Sequence, residues 1–158
     1  MGFAFAHHFA DYDAASAMLS YRAHFKPSAT LAQPYAILGT AVIAAETDAE
    51  AERIASSADL HYARRAKGEY LPLASPEEAA AYPYSAADRE RIARHRARLV
   101  VGGVENVKSR LLALVEATRA DELMITTMVY DHAARKRSYE LLAEAFALTP
   151  AAERPAGR

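Results

Sequence analysis

The chain contains no cysteine. Disulfides, thiolate nucleophiles and thiolate-held metals are therefore excluded. It also lacks an imbalance of charge: the formal net charge is −1 and the pI about 6.6. No overall field draws it to nucleic acid or to an anionic membrane surface. No stretch approaches the roughly 20 apolar residues of a membrane span. The amino terminus MGFAFAHHFADYD has neither the basic region nor the apolar run of a signal peptide, so the cytoplasm is the expected compartment. No internal repeat of fixed period is present. What remains is ordinary for a globular protein: 158 residues, 52% hydrophobic and 25% charged, enough for one domain with its own core.

The chain alternates between short apolar runs and amphipathic stretches. FAFA (Phe3 to Ala6) is β-prone. Asp11 or Asp13 then offers an N-cap to a helix carrying Ala14, Met18, Tyr21 and Phe25 at helical spacing. Pro27 and Pro34 bracket a loop. Tyr35 to Ala45 is a near-continuous apolar run, the pattern of a parallel strand buried on both faces. Thr47 or Asp48 caps a helix to about Lys67, with Ala51, Ile54, Ala58 and Tyr62 inward and Gly68 as its stop. Pro72, Pro76 and Pro83 mark a loop-like segment with one or two helical turns. Ser85 caps a helix to about Leu99, which Gly102 and Gly103 break. Val104 to Thr118 is another amphipathic helix, and a last strand (122–128) leads into a last helix. Residues 149–158 read as a disordered tail. The pattern predicts an α/β fold of three parallel strands, near 3–6, 35–45 and 122–128 in that spatial order, with helices packed outside.

The segment from Glu122 to Phe146, ELMITTMVYDHAARKRSYELLAEAF, is a strand–turn–helix unit with polar residues at the strand's carboxyl end, where parallel α/β proteins bind ligands. This segment resembles the last βα unit of the luciferase-like, flavin-dependent monooxygenases. FAFAHHFADYD (Phe3 to Asp13), ILGTAVIAAETDAEAERIA (Ile37 to Ala55) and VVGGVENVKSRLLALVEATRADEL (Val100 to Leu123) are similar to other segments of that family. The resemblance spans nearly the whole chain and implies a partial (β/α)8 barrel. Residues 1–148 would form the last three βα units, a C-terminal half with a helical insertion at about 69–99. It further implies an FMN-dependent oxidoreductase that uses reduced FMN and O2 to oxygenate a small organic substrate, with a flavin reductase as a supplying partner. The family's phosphate-binding loop belongs to a strand ahead of this chain. Here Gly102-Gly103 precedes a helix, but Val104 replaces the family's usual proline, and Glu105 suits the helix dipole while repelling a phosphate. The pair reads as a turn with a cap.

His7-His8 is the sharpest chemical feature. Adjacent strand residues point to opposite faces, so one imidazole looks into the barrel unless the strand has ended. His8 is the catalytic candidate, an acid or base near neutral pH, and His7, His8 and Tyr130 are the cofactor-binding candidates. The competing reading of the histidines is a structural or capping role. A metal site would need His7, His8, Asp131 and His132 to converge, and the family uses no metal, so none is expected. Asp131 reads as an N-cap. His24, His61 and His95 look like surface or rim residues. Arg89, Arg91, Arg94, Arg96 and Arg98 alternate around their helix with Asp88 and Glu90 interspersed, the pattern of a solvated helix. The family resemblance adds that an insertion in this region covers the active-site mouth, which would bring an arginine against an anionic substrate or reduced flavin.

Two function classes follow. One is the C-terminal portion of a luciferase-like monooxygenase. The other is a non-catalytic remnant or partner subunit that only associates with another half-barrel. Either way, unpaired outer strands predict self-association or pairing with an N-terminal half.

Overall fold

The computed structural model describes residues 1–10 and 12–149. Asp11, the alternative cap, and all of the expected tail beyond Thr149 lie outside the described residues. The elements are β1 (Phe3–Ala6), α1 (Ala14–His24), β2 (Ala36–Ala45), α2 (Asp48–Arg65), α3 (Pro76–Ala81), α4 (Ala86–Arg96), β3 (Leu99–Gly103), α5 (Val104–Thr118), β4 (Glu122–Thr126) and α6 (His132–Ala145). The architecture is α/β with a parallel sheet, as the alternation of the sequence requires.

β2 is the hub: β1, β3 and β4 all pair with it in parallel. β1 and β4 both use the rows of Ile37 to Gly39, so they flank opposite edges, which gives the expected order β1–β2–β4. β3 takes the upper rows, from Ala41↔Leu99 to Ala45↔Gly103. This fourth strand corrects the sequence reading. The helix capped by Ser85 stops at Arg96 rather than near Leu99, and Gly102-Gly103 ends a strand instead of breaking a helix. Three aliphatic residues, Leu99 to Val101, are too few to signal a strand by themselves; the carboxyl half of β2 supplies their partner. The last strand also ends at Thr126, two residues short of expectation.

Caps fix the helix starts. Asp13, Thr47, Ser75, Ser85 and Asp131 each accept a backbone N–H three residues ahead. Ser85 and Asp88 form a reciprocal capping box. α5 has no side chain of its own for this purpose. Its amino terminus is closed instead by Asp48 of α2, whose Oδ1 accepts from the Gly103 N–H at 2.6 Å and from Asn106 Nδ2 at 3.2 Å. A Cβ at Gly102 would lie 2.8 Å from that carboxylate oxygen, so only glycine lets it approach.

The even residues of β2 face the helices α1, α5 and α6. Ala36 and Leu38 pack on Ala14 and Met18, while Val42 and Ala44 pack on Val107, Leu111 and Leu142. The odd face is divided. Ile43 and Ala45 are covered by Ala51, Ile54 and Ala55 of α2. Below them, Ala4, Ala6, Met124 and Thr126 are exposed and Ile37 is half-buried. A smaller cluster, Leu60 with Ala74 and Ala79, ties α3 to α2.

Candidate active site

The carboxyl ends of the strands and the helices above them enclose a mostly apolar cavity of about 280 Å³. Ala41 and Ile43 of β2 and Thr126 to Met128 form its base, His8 and Phe9 one side, and Ala58, Tyr62 and His95 its cover. Each wall has a local cause. β1 ends at Ala6, and the turn that follows carries His8 back over β2, where Nδ1 lies 3.1 Å from the Gly39 carbonyl oxygen. A carbonyl only accepts, so Nδ1 carries the proton and Nε2 is the basic nitrogen of the neutral ring. A Cβ at position 39 would come within 3.4 Å of His8 Cε1, which makes Gly39 the seat of this imidazole. At the far wall, Thr127 is held twice, through its N–H to Tyr139 Oη at 3.0 Å and through Oγ1 to the Val42 carbonyl at 2.8 Å.

The cover comes from residues that sequence reasoning placed elsewhere. His95 is not a surface or rim residue; it is 6% exposed and stacks on Tyr62 with centroids 3.5 Å apart. Burial, reinforced by Arg98 and Arg96, pushes its pKa down to about 4, so the ring is neutral. Burial raises the Tyr62 phenol. The basic cluster is also not a uniformly solvated helix. Arg96 makes a bidentate pair with Asp59 at 2.7 and 2.8 Å, and Arg98 donates to the carbonyls of Ala10 and Phe9. The spacing of Tyr62 and His95, 33 residues apart on separate helices, carries no sequence signal for this contact.

His7, His8 and Tyr130 all lie at the carboxyl end of the sheet, yet the structure does not bring them into one cavity. Only His8 lines the apolar one. His7 faces a larger, arginine-rich cavity on the other side of Tyr62 and His95, where burial and Arg98 lower its pKa. Tyr130, 56% exposed, borders a third recess beside Arg53 and Glu77. Asp131 caps α6. The N–H of Gly103, the donor at the α5 amino terminus that a phosphate would need, is taken by Asp48, whose pKa that bond lowers. Among the described residues, no three His, Asp or Glu side chains stand close enough to hold a metal ion. No helix among them is long and apolar enough to cross a membrane.

No protein-family model matches the chain. It is 40% identical over 146 residues to the uncharacterized protein YceB of Bacillus subtilis, a match that covers 92% of this chain and 44% of that protein. It is 33% identical over 139 residues to a luciferase-like monooxygenase of Escherichia coli K12, covering 88% of this chain and 42% of the other. The crystal structure of apo-MsnO8 superposes with a TM-score of 0.85 at 35% identity, over 95% of this chain and 46% of that one. The chain is thus similar, over nearly all of its length, to proteins that include luciferase-like monooxygenases, and spans less than half of the relatives it matches.

Proposed function

We propose that these residues supply the carboxyl-terminal part of a luciferase-like, FMN-dependent monooxygenase: βα units of an eight-stranded barrel with a helical insertion over the mouth. The observation that carries this reading is the alignment of nearly the whole chain with under half of a luciferase-like monooxygenase. Two features support it. β1 and β4 each leave an edge without a partner among the described strands. The residues Ala4, Ala6, Ile37 and Met124 sit on an uncovered sheet face that a closed barrel would turn inward.

When bound, reduced FMN supplies the electrons that activate O2. The chain's own part is to build one wall. His8, held through Nδ1, turns the opposite nitrogen to accept or pass a proton at the flavin edge or substrate. Tyr62 and His95 keep water from that wall. His7 and Tyr130 stand at the rim, where they would meet the cofactor only after the missing strands close the barrel. A phosphate cradle is absent from the described residues, because Asp48 fills the one glycine-rich helix start. The substrate would be a small organic molecule.

The test is a titration of FMN into this chain, followed by flavin fluorescence, with and without the amino-terminal half of a luciferase-like relative. The expected result is weak or no binding alone, and saturable binding once that half is supplied. A micromolar complex with the chain alone, or NADH-coupled oxygen uptake above the free-flavin background, would make it a compact enzyme by itself. No gain on adding the missing half would favour the non-catalytic reading.

A further inference from the structure

The open lower face of the sheet carries one charged side chain among apolar ones. The register sets Ala4 beside Ile37 and Ile37 beside Glu122, then Ala6 beside Gly39 and Gly39 beside Met124. Neighbours in register point to the same side of a pleated sheet. Ala4, Ala6, Glu122 and Met124 are exposed there, and Ile37 is half-buried. Glu122 is the first residue of β4, so its carboxylate lies at the amino end of the sheet, opposite the end that holds His8.

Glu122 Oε2 accepts a hydrogen bond from Tyr35 Oη at 2.8 Å, a bond that raises the phenol above its ordinary pKa. A phenol donates one hydrogen bond and brings no charge. Among the described residues Glu122 makes no ion pair. Arg22, on the helix side, is committed to Asp121 and to the Arg119 carbonyl. In water this arrangement is inexpensive. Once strands cover the face the water leaves, and a buried carboxylate then needs an opposite charge. Ala4, Ala6, Ile37 and Met124 supply none.

We infer that the partner covering this face brings a lysine or arginine to Glu122, and that this ion pair fixes how the two parts of the barrel join. The partner is the amino-terminal half-barrel, so the inference rests on the proposed function. Its strands lay apolar side chains on Ala4, Ala6, Ile37 and Met124 and set one cation at their foot. An arginine can meet the carboxylate bidentately, while the Tyr35 hydroxyl holds the carboxylate in place. A second copy of this chain is the poorer occupant, because its matching face offers another glutamate and no cation. The contact lies away from the cavity of His8, so it governs assembly and not flavin affinity.

The test co-expresses the full chain with the amino-terminal half of the Escherichia coli luciferase-like monooxygenase. The dissociation constant of the purified pair is then measured by sedimentation over a dilution series. Glu122→Gln should weaken the pair at least about tenfold, and Glu122→Leu should weaken it further, since the partner's cation is then buried alone. Glu116→Gln, on the exposed side of α5, should change nothing. Thermal melts of the isolated chain should be alike for all three variants, which separates loss of assembly from loss of folding. With the partner at saturation, FMN affinity should match the parent in each variant. Failure of the parent chain to form a pair would overturn the barrel reading, and this inference with it. A pair that forms but is indifferent to Glu122→Gln would overturn this inference alone. So would a pair tightened by Glu122→Leu, because the carboxylate would then be a burden with no cation to meet it.

Discussion

The two halves of β2 carry the same kind of residue in different surroundings. From Ala41 to Ala45 the strand is packed on both faces, with Val42 and Ala44 against α5 and α6 and Ile43 and Ala45 against α2. From Ala36 to Leu38 only the even face is covered, by α1, while Ile37 looks onto an open sheet surface shared with Ala4 and Met124. An apolar run thus marks a strand that is built for two covered faces, and the covering of the lower half need not come from these residues. The upper half stands alone as a core. The lower half has the surface of an interior.

That contrast can be broken by measurement. The largest effect is expected from Ile43→Ala, which removes a fully buried side chain and should cost about 2–4 kcal/mol in urea unfolding. Ile37→Ala should cost under about 1 kcal/mol in the same experiment. Equal costs would show that something covers the open face in solution, and light scattering would then show association.

The cover of the upper half is sensitive to acid. His95 has a folded-state pKa of about 4 against an ordinary 6.5, so the unfolded chain takes the proton first. Its contribution is whole above pH 6.5 and is lost progressively as the pH falls from about 6.5 to about 4. The loss should be on the order of 2–3 kcal/mol, and His95→Phe should flatten that part of the stability profile. An unchanged slope in the variant would place the acid sensitivity elsewhere.

Smaller still is the junction that joins α2 to α5. Asp48→Ala leaves the Gly103 N–H and Asn106 without their acceptor and should cost about 1–2 kcal/mol in thermal melts. Least of all, Met124→Lys should leave the isolated chain within about 0.5 kcal/mol of the parent. The same change should abolish any FMN binding that depends on an added amino-terminal half. If it does not, the open face is not where the complementary strands sit.

The sequence carried the elements whose signals are local. Thr47, Ser85 and Asp131 stand directly before amphipathic stretches and cap the helices expected there. The apolar run of β2 was equally plain. β3 was not, because Leu99 to Val101 sits between arginines and a glycine pair, and its partner lies 58 residues earlier at Ala41 to Ala45. The burial of His95 was hidden for a similar reason. Charged neighbours on both sides suggest solvent, and only the stack on Tyr62 from another helix takes the ring out of it. His8 was legible as a candidate, but its tautomer was not, since that depends on the carbonyl of Gly39 across the sheet. Nothing in the sequence separated the cavities of His7, His8 and Tyr130, which adjoin different helices.

The hub position of β2 also governs the order of events in folding. Its pairing partners lie 33, 58 and 85 residues away along the chain, from Phe3↔Ala36, Ala41↔Leu99 and Ile37↔Glu122. Each pairing must wait for a long loop to close, at an entropic cost that grows with the logarithm of the separation. On a ribosome, β2 and α2 emerge well before β3 and β4. During that interval Val42 and Ala44 have no strand beside them at Val100 or Ile125, and the nascent chain exposes its most apolar strand longest.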